Sequence, residues 1–552
     1  MRFSLAALFA CLILAPPALA QEADEEQRPF ADVKLQPDGE GVVVTVVLDA
    51  PVERFVFEQA DVVRDDALSV LTPGLAFADD AITGAEPFAS FGFRLAEDYS
   101  ERDAKYPPFY RVGEGYLVFA PAILPEDDRW DTALHIDTLP EGWVRWPEDP
   151  LPQGYVFFGP QEMVSEQGGV RFVFDGNGGP AFEAEIRDSV SRSLTYLEEV
   201  FGSPPASAPF VATSVLESER ARRYTGDVTE GAMIALRFFD SAFDPTEPEA
   251  LQVTRSIVLH EGVHFWNGGV ASFASGTPQW LHEGGAEYLA TLGSYRLGWS
   301  NRGDVQARFG QWLDRCSTSL SYSQEPALNE LRILNASLRY SCGPLLHALA
   351  ELYLAEAGPP MTVAEGWRQT VALAAEERGG EYDLDLWLDA MGAPGLLEEP
   401  AMAAILSRSG PERWDTVRSE MRRLGVEIAL ETSPPLRART ALMHLIRSQC
   451  TQLAEGEGYG FYSGTESYRL DTPAGCGLLA GGPVIDTLGG YPLTGLTGEN
   501  YADLQAVCLQ GGSIAFGVTE GSVIEVPCIS PLPDAATETV ITALPDIPAF
   551  SE

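Results

Sequence analysis

Two stretches decide the reading: His260-Glu261-Gly262-Val263-His264 and Trp280-Leu281-His282-Glu283-Gly284-Gly285-Ala286-Glu287-Tyr288. Two histidines four apart share one face of a helix, so both imidazoles can reach one metal ion. Glu261 adjoins the first histidine and can reach a water activated by that metal. Eighteen residues separate His264 from Glu283. They leave room for a second helix, capped by Thr277 and opened by Pro278, that presents Glu283 as a third ligand. Two His and one Glu leave a fourth position open, as a catalytic zinc requires and a structural zinc does not. One Zn2+ is therefore expected, held by His260, His264 and Glu283. The five-residue pattern is weak alone, because a helix can carry two histidines and a solvated Glu by accident. Three of the chain's six histidines fall between positions 260 and 282, and the apolar run Ile257-Val258-Leu259 suits a buried helix.

Other residues sit around that core. Glu287 shares a helical face with Glu283 and can orient a ligand histidine from behind, unless it is a plain surface carboxylate. His282 points from another face and is left outside the site. His347 is expected as a packed helix residue or a wall of the cleft. His135 and His444 are isolated and receive no role.

Length and composition bound the rest. At 552 residues the chain is expected to hold two to four domains. Lys+Arg is 36 against Asp+Glu 81, a formal net charge of −45. That excludes a nucleic-acid partner and docking on an anionic membrane. The N-terminus resembles a secretory signal over residues 1–20: Arg2, an apolar Leu5–Leu14, then Ala18-Leu19-Ala20 before Gln21. Acylation at Cys11 is the rival reading. No later segment has the length and apolarity to span a membrane. The expected location is outside the cytoplasm, periplasmic or secreted. Without Cys11 six cysteines remain, which allow 15 connectivities. Proximity favours Cys316–Cys342, Cys450–Cys476 and Cys508–Cys528.

The expected architecture is α+β and multidomain. Residues 21–155 read as a β-sandwich-like domain, from short strands such as Gly41–Leu48, Phe55–Phe57 and Tyr116–Phe119. Residues 156–432 read as the domain of the metal site, a mixed sheet plus a helical bundle. Its first helix puts Phe182, Ile186, Val190, Leu194, Leu197 and Phe201 on one face, and Gly202 stops it. Strands follow at Phe210–Leu216 and Gly231–Phe239, and further helices are expected from near Thr246 and near Pro344. Ser433-Pro434-Pro435 reads as a linker, and 440–552 as a third, β-rich domain.

With those residues in view, the chain resembles the gluzincin zinc peptidases, whose catalytic domain is thermolysin-like. His264-Phe265-Trp266-Asn267 is similar to the end of the ligand helix in the glycyl aminopeptidase family. The resemblance implies that Tyr340, in Tyr340-Ser341-Cys342-Gly343, stabilises an oxyanion, although Cys342 replaces the family's Lys. Gly231-Ala232-Met233 resembles the edge strand on which aminopeptidase N relatives pair their substrate, and Ile234 replaces the Glu that binds the substrate's amine there; without that resemblance, Gly231–Phe239 reads equally well as a plain core strand. Gly458-Tyr459-Gly460-Phe461, Val484–Gly490 and the pair Ser513–Val518 and Val523–Val526 resemble a PDZ domain. That likeness implies a C-terminal peptide ligand held on a sheet edge.

The resulting expectation is an exported zinc metallopeptidase, aminopeptidase-like in kind, that hydrolyses peptide bonds with a metal-activated water. In it Glu261 moves the proton and Tyr340 meets the oxyanion. A peptide-holding scaffold that uses the same groove and PDZ-like module stays open, as does hydrolysis of a non-peptide bond.

Overall fold

Helix α1 (Gly179–Phe201) shows how directly pattern becomes structure. All six residues of its expected apolar face are buried. Each such side chain stabilises the fold by roughly 1.5–3 kcal/mol when removed from water. Gly202 ends the helix at φ 70°, a left-handed conformation that glycine adopts without a Cβ clash.

The computed structural model describes residues 28–550, except 40, 60–66, 79, 98–105, 126–128, 137–138, 149–153, 217–223, 230–232, 240–246, 322–325, 332–335, 359–360, 454–457, 464–466 and 520. The expected signal, Cys11, Thr246, Gly231 and Ala232 lie outside the described residues. The architecture is mixed α+β. The chain divides into two compact units, one reaching Gly159 and one starting at Pro160, with Val112–Gly115 counted in the second.

The first unit carries a six-stranded sheet. The two short strands expected at Gly41–Leu48 and Phe55–Phe57 merge into one long strand, Gly41–Val56, paired antiparallel with Ala81–Ala96. Their pairing shifts register between Val47 and Arg54, so one strand bends where two had been expected.

The second unit opens with a five-stranded sheet of β1 (Ser165–Gln167), β2 (Val170–Phe174), β3 (Phe210–Leu216), β4 (Tyr224–Thr229) and β5 (Met233–Phe239), in the order β1-β2-β3-β5-β4. β2, β3 and β5 run parallel, and β4 returns antiparallel along β5 as the edge. All seven residues of β5 are buried, as an interior strand requires.

Helices α2 (Pro248–His264), α3 (Gln279–Arg296), α4 (Arg302–Ser321), α5 (Ala336–Arg339) and α6 (Cys342–Ala357) follow. Thr277 does not cap α3; Pro278 takes that place. Glycines let the helices touch. A Cβ on Gly262 of α2 would lie 3.0 Å from Leu197 of α1. One on Gly284 of α3 would lie 2.4 Å from the backbone of Gly343 of α6.

The expected linker at Ser433-Pro434-Pro435 is instead the start of a helix, Pro434–Gln449. Proline suits a first helical turn, where its missing N–H costs nothing. That helix packs on a second core with the sheet strands Gly460–Ser463, Tyr468–Asp471, Val484–Leu488, Ser513–Val518 and Val523–Pro527. The last two form the expected antiparallel hairpin. The chain then returns: Glu538–Ala543 pairs with Glu427–Glu431 and packs on α4, where Thr539 N–H donates to Asp314 at 2.7 Å. Disulfides join Cys316–Cys342, Cys450–Cys476 and Cys508–Cys528, the three pairings that proximity favoured. No helix among the described residues is long and apolar enough to cross a membrane.

Candidate functional site

α2 and α3 pack side by side and bring His260, His264 and Glu283 together. Glu283 Oε2 lies 3.3 Å from His260 Nε2 and 3.5 Å from His264 Nε2. One donor atom from each residue falls within 4.8 Å of the others.

Each donor has a partner behind it. His264 Nδ1 lies 2.8 Å from Asn267 Oδ1, and Asn267 Nδ2 donates to the His282 carbonyl at 3.2 Å. Asn267 therefore turns its oxygen to the ring, His264 carries its proton on Nδ1, and its Nε2 lone pair faces Glu283. Glu287 Oε2 stands 3.3 Å from His260 Nδ1, at ion-pair distance but without a well-aligned hydrogen bond. Arg339 Nη1 stands 3.7 Å from Glu283 Oε1, the oxygen turned away from the histidines. Asn267 reaches its place because α2 runs on into a wider π-turn, Phe265–Val270, closed by Ala271 N–H to the Trp266 carbonyl.

These donors fit a divalent cation. Two imidazole lone pairs and a carboxylate oxygen converge, and Glu283 Oε2 is buried without a well-aligned hydrogen bond. Burial alone would raise the Glu283 carboxyl, but His260 and His264 outweigh it and hold it well below the usual range. Burial would likewise lower His260, yet Glu283 and Glu287 raise it well above the ordinary imidazole value. Protons thus gather where a cation would bind, and they must leave when one does.

Glu261 is buried beside the cluster. Burial raises its carboxyl above the usual value, against the pull of His260 and His264. Its carboxylate rests on edge strand β4: a Cβ on Gly226 would lie 2.8 Å from Glu261 Oε1. Tyr340 is 37% exposed, with its ring 5.6 Å from that of His260. Burial of the hydroxyl and the Glu283 charge both raise its pKa, so it remains a proton donor.

β5 is not an edge strand: Met233 pairs with Phe210 on one side and Thr229 on the other. Ile234 pairs with Val211 and Val228 in the core, so it cannot face a substrate amine. The first arm of the β4–β5 hairpin takes the edge, and Thr225-Gly226-Asp227 is the part beside Glu261. The β-prone run Tyr224–Thr229 ahead of Glu230-Gly231 was the available signal.

His282 lies against the candidate site. Its ring stacks on His264 at 4.6 Å and touches Phe273. Tyr382 Oη donates to the Asn267 carbonyl at 2.9 Å and so accepts from His282 Nδ1 at 2.8 Å. Burial and the neighbouring His264 push the His282 pKa down to about 3, which keeps the ring neutral.

His347 lines no cleft. It is fully buried, bonds the Gly343 carbonyl at 2.9 Å, and sits among Trp280, Trp367 and Trp387.

Among solved structures, the chain is similar to the crystal structure of an aminopeptidase N family protein from Idiomarina loihiensis. The TM-score is 0.57 at 12% identity, over 93% of this chain and 98% of that one. At that identity the likeness is one of fold. No family model matches the chain, and no curated protein matches it.

Proposed function

We propose that the chain is an exported zinc-dependent peptidase of the gluzincin type. The observation that carries this reading is the meeting of His260, His264 and Glu283 beside a buried Glu261. His260, His264 and Glu283 would hold one zinc ion, oriented by Glu287 and Asn267. When bound, the ion supplies Lewis acidity at that point, acidifying water and polarising a carbonyl.

The chain's residues do the rest. Glu261 takes a proton from the attacking water and later delivers it to the leaving amine, a task its raised pKa suits. Tyr340 keeps its proton and donates a hydrogen bond to the developing oxyanion. An extended peptide adds to the outer edge of β4, its main chain beside Gly226 and Glu261. The phenyl ring of Phe273, 39% exposed against His282, supplies an apolar wall.

The module after Pro434 is PDZ-like in this reading. A cleft of about 900 Å3 opens there, lined by Gly458–Phe461, Arg469, Gly481 and Gly482. Backbone N–H groups of a glycine-rich turn beside an arginine suit a peptide's terminal carboxylate. That cleft is separate from the zinc residues. Three disulfides favour an oxidising compartment and hence export.

The test is Glu261→Gln with a pool of free and acetylated peptides. The variant should keep zinc at the wild-type stoichiometry and lose about 10²- to 10⁴-fold in kcat. Trimming of free N-termini alone means an aminopeptidase, and internal cuts in both halves mean an endopeptidase. Equal turnover by wild type and variant rules out the role of Glu261.

A further inference from the structure

Among the described residues, Arg339 is the guanidinium that pairs with the candidate zinc cluster, and its donors are largely unspent. Arg302 offers a contrast within the same unit: its Nη2 donates to the carbonyls of Leu544 and Pro545 at 2.8 and 3.0 Å, as a structural arginine does. Arg339 has no such anchoring. Its Nε is buried without a hydrogen-bond partner, and Nη1 stands 3.7 Å from Glu283 Oε1, beyond hydrogen-bond reach. The side chain is 26% exposed. Its guanidinium carbon lies 5.2 Å over the Tyr340 ring, which holds the planar group while leaving its edge N–H groups free.

A planar fork with unfilled donors is suited to a carboxylate, which it can grip with two parallel hydrogen bonds. Arg339 directly precedes Tyr340 in the chain. An anion on the guanidinium therefore lies within a residue or two of the carbonyl that Tyr340 would meet. The net charge of −45 repels acidic peptides only at range, because salt screens beyond about 8 Å at physiological ionic strength. At contact distance the local guanidinium decides.

We propose that Arg339 is a specificity-determining residue, and that the substrate is a peptide bearing a carboxylate next to the scissile bond. That carboxylate is either the C-terminus or an Asp or Glu side chain. This rests on the peptidase reading above.

The experiment uses the full zinc-loaded chain and two matched peptide pairs. One pair differs as free acid against amide at the C-terminus, the other as Glu against Gln beside the cut. Wild type should prefer the carboxylate member of one pair by about 10- to 100-fold in kcat/KM, and the pair that responds identifies the source. Arg339→Gln should level that preference, and Arg339→Lys, which keeps charge without the fork, should retain part of it. Zinc affinity, measured by chelator competition, separates any loosening of Glu283, which would slow both members of a pair alike. Should Arg339→Gln fold poorly, the wild-type preference and the Lys variant still decide. Equal cleavage within both pairs by wild type, or an undiminished preference in Arg339→Gln, overturns the proposal. A calorimetric arm titrates a free-acid and an amidated dipeptide into Glu261→Gln, with and without Arg339→Gln. If wild type cleaves nothing, the peptidase reading falls, and this arm decides for Arg339 alone. Binding of the acid only, lost with Arg339, supports the proposal; equal binding of acid and amide ends it.

Discussion

The helices α2 and α3 and the hairpin β4–β5 meet at Glu261, yet their sequences speak with unequal clarity. On a helix the spacing of two residues fixes their relative direction. His260 and His264, and likewise Glu283 and Glu287, had to share faces once the helices formed, and they do. In a hairpin, alternation fixes only which face a side chain takes. Which arm is the edge depends on what pairs beyond it. β5 became interior because β3, distant in sequence, lies along its other side. No residue of β5 records that event, although its seven buried side chains reflect it. Local periodicity thus revealed the proposed metal-binding face, while the proposed substrate strand required the topology.

That contrast can be sharpened by substitution. Gly226→Ala on β4 should have the largest effect. Its Cβ would meet Glu261 at 2.8 Å, and displacing a catalytic group by an ångström costs on the order of 10²-fold in kcat. Circular dichroism and zinc content should stay as in wild type. If kcat is unchanged, β4 does not set the position of Glu261.

Asn267→Ala comes next, on the helical side of the comparison. Losing the acceptor behind His264 frees the ring to turn, and such outer partners typically contribute about 10- to 100-fold in metal affinity. Zinc competition measures it, and an unaltered affinity would mean that packing against His282 alone orients the ring.

The smallest effect belongs to Ile234→Val on β5. An interior strand should respond only in stability, by about 0.5–1.5 kcal/mol, with kcat/KM preserved. Chemical denaturation and a peptide assay on one preparation check both halves. A large loss of kcat/KM with normal stability would return a substrate role to β5.

Other parts of the site divide along the same line. Glu283 was legible from its distance along the chain and its helix. Asn267 was in plain view inside His264–Asn267 but carried no signal of its role, because the π-turn that delivers it has no sequence period. His282 was discarded for pointing from another face. It does so, and Phe273 and Tyr382 meet it there. The disulfides were readable because each closes a short loop, with separations of 26, 26 and 20 residues. The helix at Pro434 was not, because a pair of prolines opens a helix as readily as it fills a linker.

The return of Glu538–Ala543 to Glu427–Glu431 makes the intervening module an insertion, stitched to the helical body at both its entrance and its exit. A pendant domain swings on one strand and can be clipped away without harm to its host. This one is closed like a clasp. Its two stems share a ladder, and the strand after the exit lies on α4, the helix whose Cys316 is bridged to Cys342, two residues from Tyr340. Tension applied to the module is therefore felt first in that ladder and then in α4, which the Cys316–Cys342 bridge ties beside the candidate site.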